Sequence, residues 1–126
     1  MNTMTDWRTL EAGPELDAIV AERLFSVDVI PCQIPAAQAH AHTSVGHALP
    51  SCCLAHYSTT WEGMGLVLER MADLGFDFEV THYKDRSANV EVWKDQGGSW
   101  TWVARDLGDT VPLATCRAAL AALEWR

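Results

Sequence analysis

The chain has 126 residues, 48% of them hydrophobic and 21% charged, enough for one domain that buries its own core without disulfide support. Its net charge of −8 opposes general affinity for a phosphate backbone, because such binding is driven by counterion release to Lys and Arg. No apolar run approaches the ~18 residues of a membrane span, and Met1 to Glu11 lacks a basic stretch leading into an apolar one, so neither a span nor a secretion signal is expected.

The first helix is expected from Glu11 or Pro14 to Leu24, with Leu16, Ile19, Val20, Arg23 and Leu24 on one face at helical spacing. Pro14 fits the first turn, where a missing N–H costs nothing. Phe25 to Ile30 alternates weakly and predicts a short strand that Pro31 ends. From there the chain changes character. Val29 to Thr60 holds no Asp, Glu, Lys or Arg, yet carries four of the five histidines and three of the four cysteines. No helical or strand period runs through residues 31–57, which predicts a long uncharged loop within a single domain, 1–126, lying against the protein or a partner.

The second helix has a start signal in Thr59 with Glu62 three residues on, the spacing of a capping box. Met64, Val67, Leu68, Met71 and Leu74 form its apolar stripe, and Gly75 offers a left-handed stop. Gly63 and Gly65 each cost about 1 kcal/mol relative to Ala inside a helix, which points to a close backbone approach. Three strands follow. Phe76, Phe78 and Val80 alternate with Asp77, Glu79 and Thr81; Val90 and Val92 alternate with Glu91 and Trp93; Ser99 to Arg105 puts Trp100 and Trp102 on one face and Thr101 and Val103 on the other. Arg86-Ser87 and Asp95 to Gly98 supply the turns, and a final helix begins near Asp109 or Thr110 with Leu113, Cys116, Leu120 and Leu123 inward. The expected fold is therefore an α+β sandwich, with an antiparallel three-stranded meander and helices packed on it.

Leu10–Glu22, Tyr57–Trp61 and Asp109–Leu120 together resemble the phage ABA sandwich domain family of small phage and prophage proteins. The resemblance spans most of the chain outside the uncharged loop and rests on helix starts and helix faces. It implies a three-layer α/β/α arrangement in a phage-encoded protein of the bacterial host cytoplasm, with no established activity and no functional residues to carry over. Pro14 departs from a position commonly polar in that family, which bears on where the first helix starts. In a reducing cytosol Cys32, Cys52, Cys53 and Cys116 are free thiols or ligands, a Cys32 disulfide to Cys52 or Cys53 being the alternative. The order of the last five elements is also that of double-stranded RNA-binding domains. Those meet phosphate with basic residues at the start of the final helix. Here Asp106, Asp109, Thr110, Val111 and Pro112 stand there, so no double-stranded nucleic acid is expected.

Three constellations carry chemistry. Cys32, His40, His42, His47, Cys52, Cys53 and His56 have ligand atoms suited to zinc. Their spacing lacks the usual ligand pairs, so no cofactor is expected, with a zinc-organised loop as the alternative. Trp93, Trp100 and Trp102, with His82, Tyr83, Lys84, Arg86 and Lys94 nearby, suit stacking on a nucleobase and pairing with its phosphate, and Tyr57 and Trp61 are counted with the same ligand site. The competing reading makes these tryptophans core or subunit contacts. For catalysis, Cys52 or Cys53 with His56 is a weak nucleophile–base pair, Asp77 and Glu79 read as a solvated strand edge, and no nucleophile elbow, phosphate loop or dinucleotide fingerprint occurs. The expectation is a phage accessory binding protein that sequesters a small signalling nucleotide or blocks a host immune protein. The alternatives are a self-associating structural module, active as a homo-oligomer, and a zinc-organised interaction domain.

Overall fold

A computed structural model of the chain describes residues 7–26, 29–31, 41–43 and 55–125. A short 3₁₀ turn, Trp7–Thr9, leads to helix α1 (Pro14–Leu24), a two-stranded antiparallel pair β1 (Val29–Pro31) and β2 (Ala41–Thr43), and helix α2 (Trp61–Asp73). Then come strands β3 (Phe76–His82), β4 (Ala88–Asp95) and β5 (Trp100–Gly108), an antiparallel meander in that order, and helix α3 (Val111–Leu123). This is the expected α+β layout.

Helix α1 starts at Pro14, as its tolerance in the first turn predicts, and buries Leu16, Val20 and Leu24. The cap of α2 lies one residue later than expected. Thr60, not Thr59, is the N-cap, its hydroxyl accepting from Gly63 N–H at 2.9 Å. Glu62 is thereby the second helical residue rather than the third, so the capping box does not form. Met64, Val67 and Met71 are buried, and Gly75 ends the helix at φ 93°. Lys94 then reaches across from β4, donating to Leu74 C=O at 2.8 Å with its ammonium 4.3 Å from the Phe76 ring centroid.

The strand expected at Phe25 to Ile30 is shifted. Phe25 is the C-cap of α1, Ser26 takes φ 57°, and pairing begins at Val29 and includes Pro31 opposite Ala41. Proline is tolerated there because it sits at the end of an edge strand. The uncharged loop thus contains a strand, β2, which three residues are too few to reveal by period. Residues 32–40 and 44–54 of the loop lie outside the described residues, and with them most of the expectation that it lies against the protein or a partner; its end, 55–57, packs on α2.

Helices α2 and α3 lie on one face of the meander, and α1 lies against α3 and α2. Among the described residues the layers therefore run sheet, α2 with α3, then α1, rather than helices on both sides as the resemblance implied. That order makes α3 the middle of the molecule. Ten of its 13 residues are buried, alanines among them, and Cys116 is sealed in the core, where burial pushes its thiol well up. Small side chains are what allow this: a Cβ on Gly108 of β5 would already stand 3.0 Å from Ala114. Trp7 is buried too, and its indole N–H donates to Glu124 at 3.2 Å, while Arg8 pairs with the same carboxylate at 2.6 Å.

Asp106 faces this helical side of β5, opposite Val90, with one carboxylate oxygen sealed from solvent and without a hydrogen-bond partner among the described residues. Burial raises its pKa to about 6, with Arg117 of α3 pulling in the other direction. A carboxyl whose folded value is raised binds its proton more tightly in the folded state, so its contribution to stability falls as pH rises from about 4 to about 6. Asp106→Asn is expected to remove that slope and to stabilise the protein near pH 7 by about 1 kcal/mol, the full shift being discounted because the group is half open to solvent. Urea unfolding of both proteins at pH 4.5 and 7.5 measures it.

Candidate functional site

The side chains expected to form one ligand site divide into two, on opposite faces and at opposite ends of the meander. Tyr57 belongs to neither. It is 8% exposed and stacks on Phe25 with centroids 5.1 Å apart, in the seam between α1 and α2. Burial, and then the negative charge of Asp17, raise its phenol pKa. A ring sealed in this way is core, not ligand surface.

The first group surrounds the N-termini of α2 and α3. A cleft of about 320 Å³ is lined by Thr59, Trp61, His82, Arg86, Thr110, Val111 and Pro112. Trp61 is the first residue of α2 and is 58% exposed; its ring centroid lies 5.9 Å from that of His82, which ends β3. Thr60 and Thr110 each cap the third N–H of their helix, Gly63 at 2.9 Å and Leu113 at 3.3 Å, leaving the positive helix ends at the cleft. Glu62 and Asp109, next in sequence to Trp61 and Thr110, are both exposed and do not line it.

Arg86 reaches this cleft from the β3–β4 turn, where it holds φ 76°. Arg86 N–H donates to Tyr83 C=O at 2.9 Å, and Asp85 accepts from the Ser87 amide and hydroxyl at 3.0 and 2.6 Å. Those bonds on exposed Asp85 hold its carboxyl below the usual carboxylate range. The left-handed position after such a turn usually belongs to glycine, since an L side chain there costs about 1–2 kcal/mol. Lys84 is exposed in the same turn but does not line the cleft.

The second group occupies the sheet face that no described helix covers. Its cause is a bulge. Val92 pairs with Ala104 but Trp93 pairs with Trp102, so Val103 is an extra residue in β5. Side chains alternate along a strand, and without that extra residue Trp100 and Trp102 would share the buried face of Ala104. With it they turn outward, 53% and 49% exposed, in line with half-buried Trp93. Glu91 orients this surface, accepting from Trp102 Nε1 at 3.1 Å and from Asn89 at 3.2 Å. Beside it a cleft of about 420 Å³ is lined by Asp77, Phe78, Glu79, Trp93 and Trp100. Asp77 stands directly across from Trp93. These carboxylates, foreseen only as a solvated edge, are what the sequence reading failed to connect with the tryptophans.

The two groups cannot act on one small ligand. Along β3, Asp77 and His82 are five residues, or about 16 Å, apart, and odd and even positions face opposite ways. The metal-ligand set is mostly outside the described residues: Cys32, His40, His47, Cys52 and Cys53 all are. His42 lies in β2, and His56 is exposed, its carbonyl accepting from the Thr60 amide and hydroxyl at 3.2 and 2.9 Å. Among the described residues no three His, Cys, Asp or Glu side chains come together to hold a metal, and no helix is long and apolar enough to cross a membrane. A further cleft of about 620 Å³ runs along Thr9 to Glu15 and holds none of the expected site residues.

Comparison with known protein families, with curated proteins and with solved structures returns no match to this chain.

Proposed function

We infer that this chain is an accessory binding protein that takes a small anionic ligand with an aromatic part, of nucleotide type, in the cleft between the starts of α2 and α3. The observation that carries this reading is the meeting of three complementary groups around about 320 Å³: the exposed indole of Trp61, the imidazole of His82 and the guanidinium of Arg86. A nucleobase stacks on the indole, and a phosphate takes the guanidinium and the positive helix ends. Arg86 supports the reading in a second way. A strained backbone kept for an arginine, where glycine would be relaxed, is the pattern of a residue retained for its side chain. A phage origin, and with it counter-defence by sequestering a signalling nucleotide, rests on the sequence resemblance. The alternative of blocking a host protein draws on the sheet face opposite the described helices.

Calorimetric titration against mononucleotides, cyclic dinucleotides and ADP-ribose-type compounds tests the inference, with Trp61 fluorescence as a second signal. Binding by one class is expected, weakened at least tenfold by Trp61→Ala. Arg86→Gly should weaken binding at least as much while stabilising the fold by about 0.5–1 kcal/mol, since it relieves the left-handed strain. No binding by any member of the panel would remove the reading.

A further inference from the structure

We propose that the sheet face opposite the described helices docks a basic segment of another protein, seating an arginine or lysine side chain in the cleft between Trp93 and Trp100 against Asp77 and Glu79. The site is separate from the cleft at Trp61 and does not depend on it.

Indole faces carry negative charge density and attract a cation placed over them, more strongly where a carboxylate stands alongside. Here both are present. Asp77 and Glu79 line the same cleft as the two indoles, and neither carboxylate has a hydrogen bond or ion pair among the described residues. At about 420 Å³ the cleft has room for a guanidinium or ammonium head with part of its stem. The adjacent indole of Trp102 is already held by Glu91, so the surface is ordered before anything binds. Among the described strand residues Arg105 is the basic side chain of this face; it stands two strands from Glu79 in the same cross-strand row, with Glu91 between them.

Charge selects the occupant. A second copy of this chain would bring Asp77, Glu79, Glu91 and Asp95 against their own likenesses, on a molecule of net charge −8, with one arginine in return. A phosphate-bearing ligand meets the same carboxylates. A basic segment instead gains charge complementarity along the acidic strand and stacking on the indoles, the pattern of contact expected at the centre of a protein interface.

The probe is a ten-residue peptide of alternating Arg and Gly, with a Glu-Gly peptide as control, titrated into the full chain while following tryptophan fluorescence. Binding of the Arg peptide alone is expected, weakening about tenfold between 50 and 300 mM NaCl through screening. Trp100→Ala and the double variant Asp77→Asn/Glu79→Gln should each weaken it at least fivefold with unchanged thermal melts. The double variant Glu11→Gln/Glu15→Gln, which removes the same charge from the helical side, should leave it within twofold. Equal loss in that remote variant, equal binding of the Glu peptide, or no binding at 1 mM peptide overturns the proposal. So does a dimer in sedimentation velocity that Trp100→Ala dissolves, which would assign the face to a second copy.

Discussion

Gly63→Ala is expected to cost at least 3 kcal/mol, enough to leave a marginal domain largely unfolded. Local propensity argues the other way, since alanine inside a helix is favoured over glycine by about 1 kcal/mol. Packing decides. A Cβ at residue 63 would stand 2.1 Å from the His56 carbonyl oxygen, 2.4 Å from its carbon and 2.8 Å from Tyr57 Cα. All three are backbone atoms, so no rotamer relieves the clash. Nor is the carbonyl free to swing away, because the Thr60 amide and hydroxyl both hold it. The segment from His56 to Ser58 would have to lift off α2, taking Tyr57 from its stack on Phe25. Gly65→Ala is the matched control. Nothing lies within 4 Å of a Cβ there, so it should stabilise by about 0.5–1 kcal/mol. Urea unfolding of the two variants beside the parent, with slopes compared as well as midpoints, reads both effects.

This pair also shows what was legible in the sequence. Two glycines against the helical grain signalled a close approach, and one of them makes it, against the end of the uncharged loop. Which one could not be told, because the neighbour that decides lies on another stretch of backbone. The three helices and the meander were legible because apolar spacing of 3.6 or 2 runs through each of them. The cap of α2 slipped by one residue because Thr59 and Thr60 offer the same hydroxyl. Nearness in sequence gathers the binding residues into one group, which the alternation of strand faces divides. Strand parity alone puts His82 on one face of β3 with Phe76 and Phe78, and Asp77 with Glu79 on the other, which already separates two groups. The bulge at Val103 is a different matter. Its placement depends on the register with β4, and nothing local to Trp102-Val103-Ala104 announces it.

Asp17→Ala is expected to cost about 3 kcal/mol, for a reason that no helical wheel shows. In the sequence Asp17 is one more acidic residue in the first turn of a helix, where it favours the dipole. In the fold it is 2% exposed, and one of its oxygens accepts from both the amide and the hydroxyl of Ser58, at 2.8 and 2.7 Å. Ser58 is itself fully buried and accepts from Gly13 N–H at 2.9 Å, so the start of α1 is tied to the segment before α2 through one carboxylate. Removing the acceptor strands the buried Ser58 amide and leaves its hydroxyl only the longer bond to Gly13 C=O at 3.4 Å, a buried donor without a partner costing about 1–3 kcal/mol. Burial raises the Asp17 pKa, the Ser58 hydroxyl and amide acting against it. With the folded value above the unfolded one, its contribution to stability falls as pH rises through and beyond the ordinary carboxylate range. Asp17→Asn keeps an oxygen acceptor and has no charge to bury. It should therefore lie within about 1 kcal/mol of the parent at pH 4 and gain on it at pH 8, whereas Asp17→Ala stays well below both. Urea unfolding of all three proteins at the two pH values distinguishes a carbonyl-type acceptor required by Ser58 from a charge required by the helix dipole: in the second case Asp17→Asn would fall with Asp17→Ala.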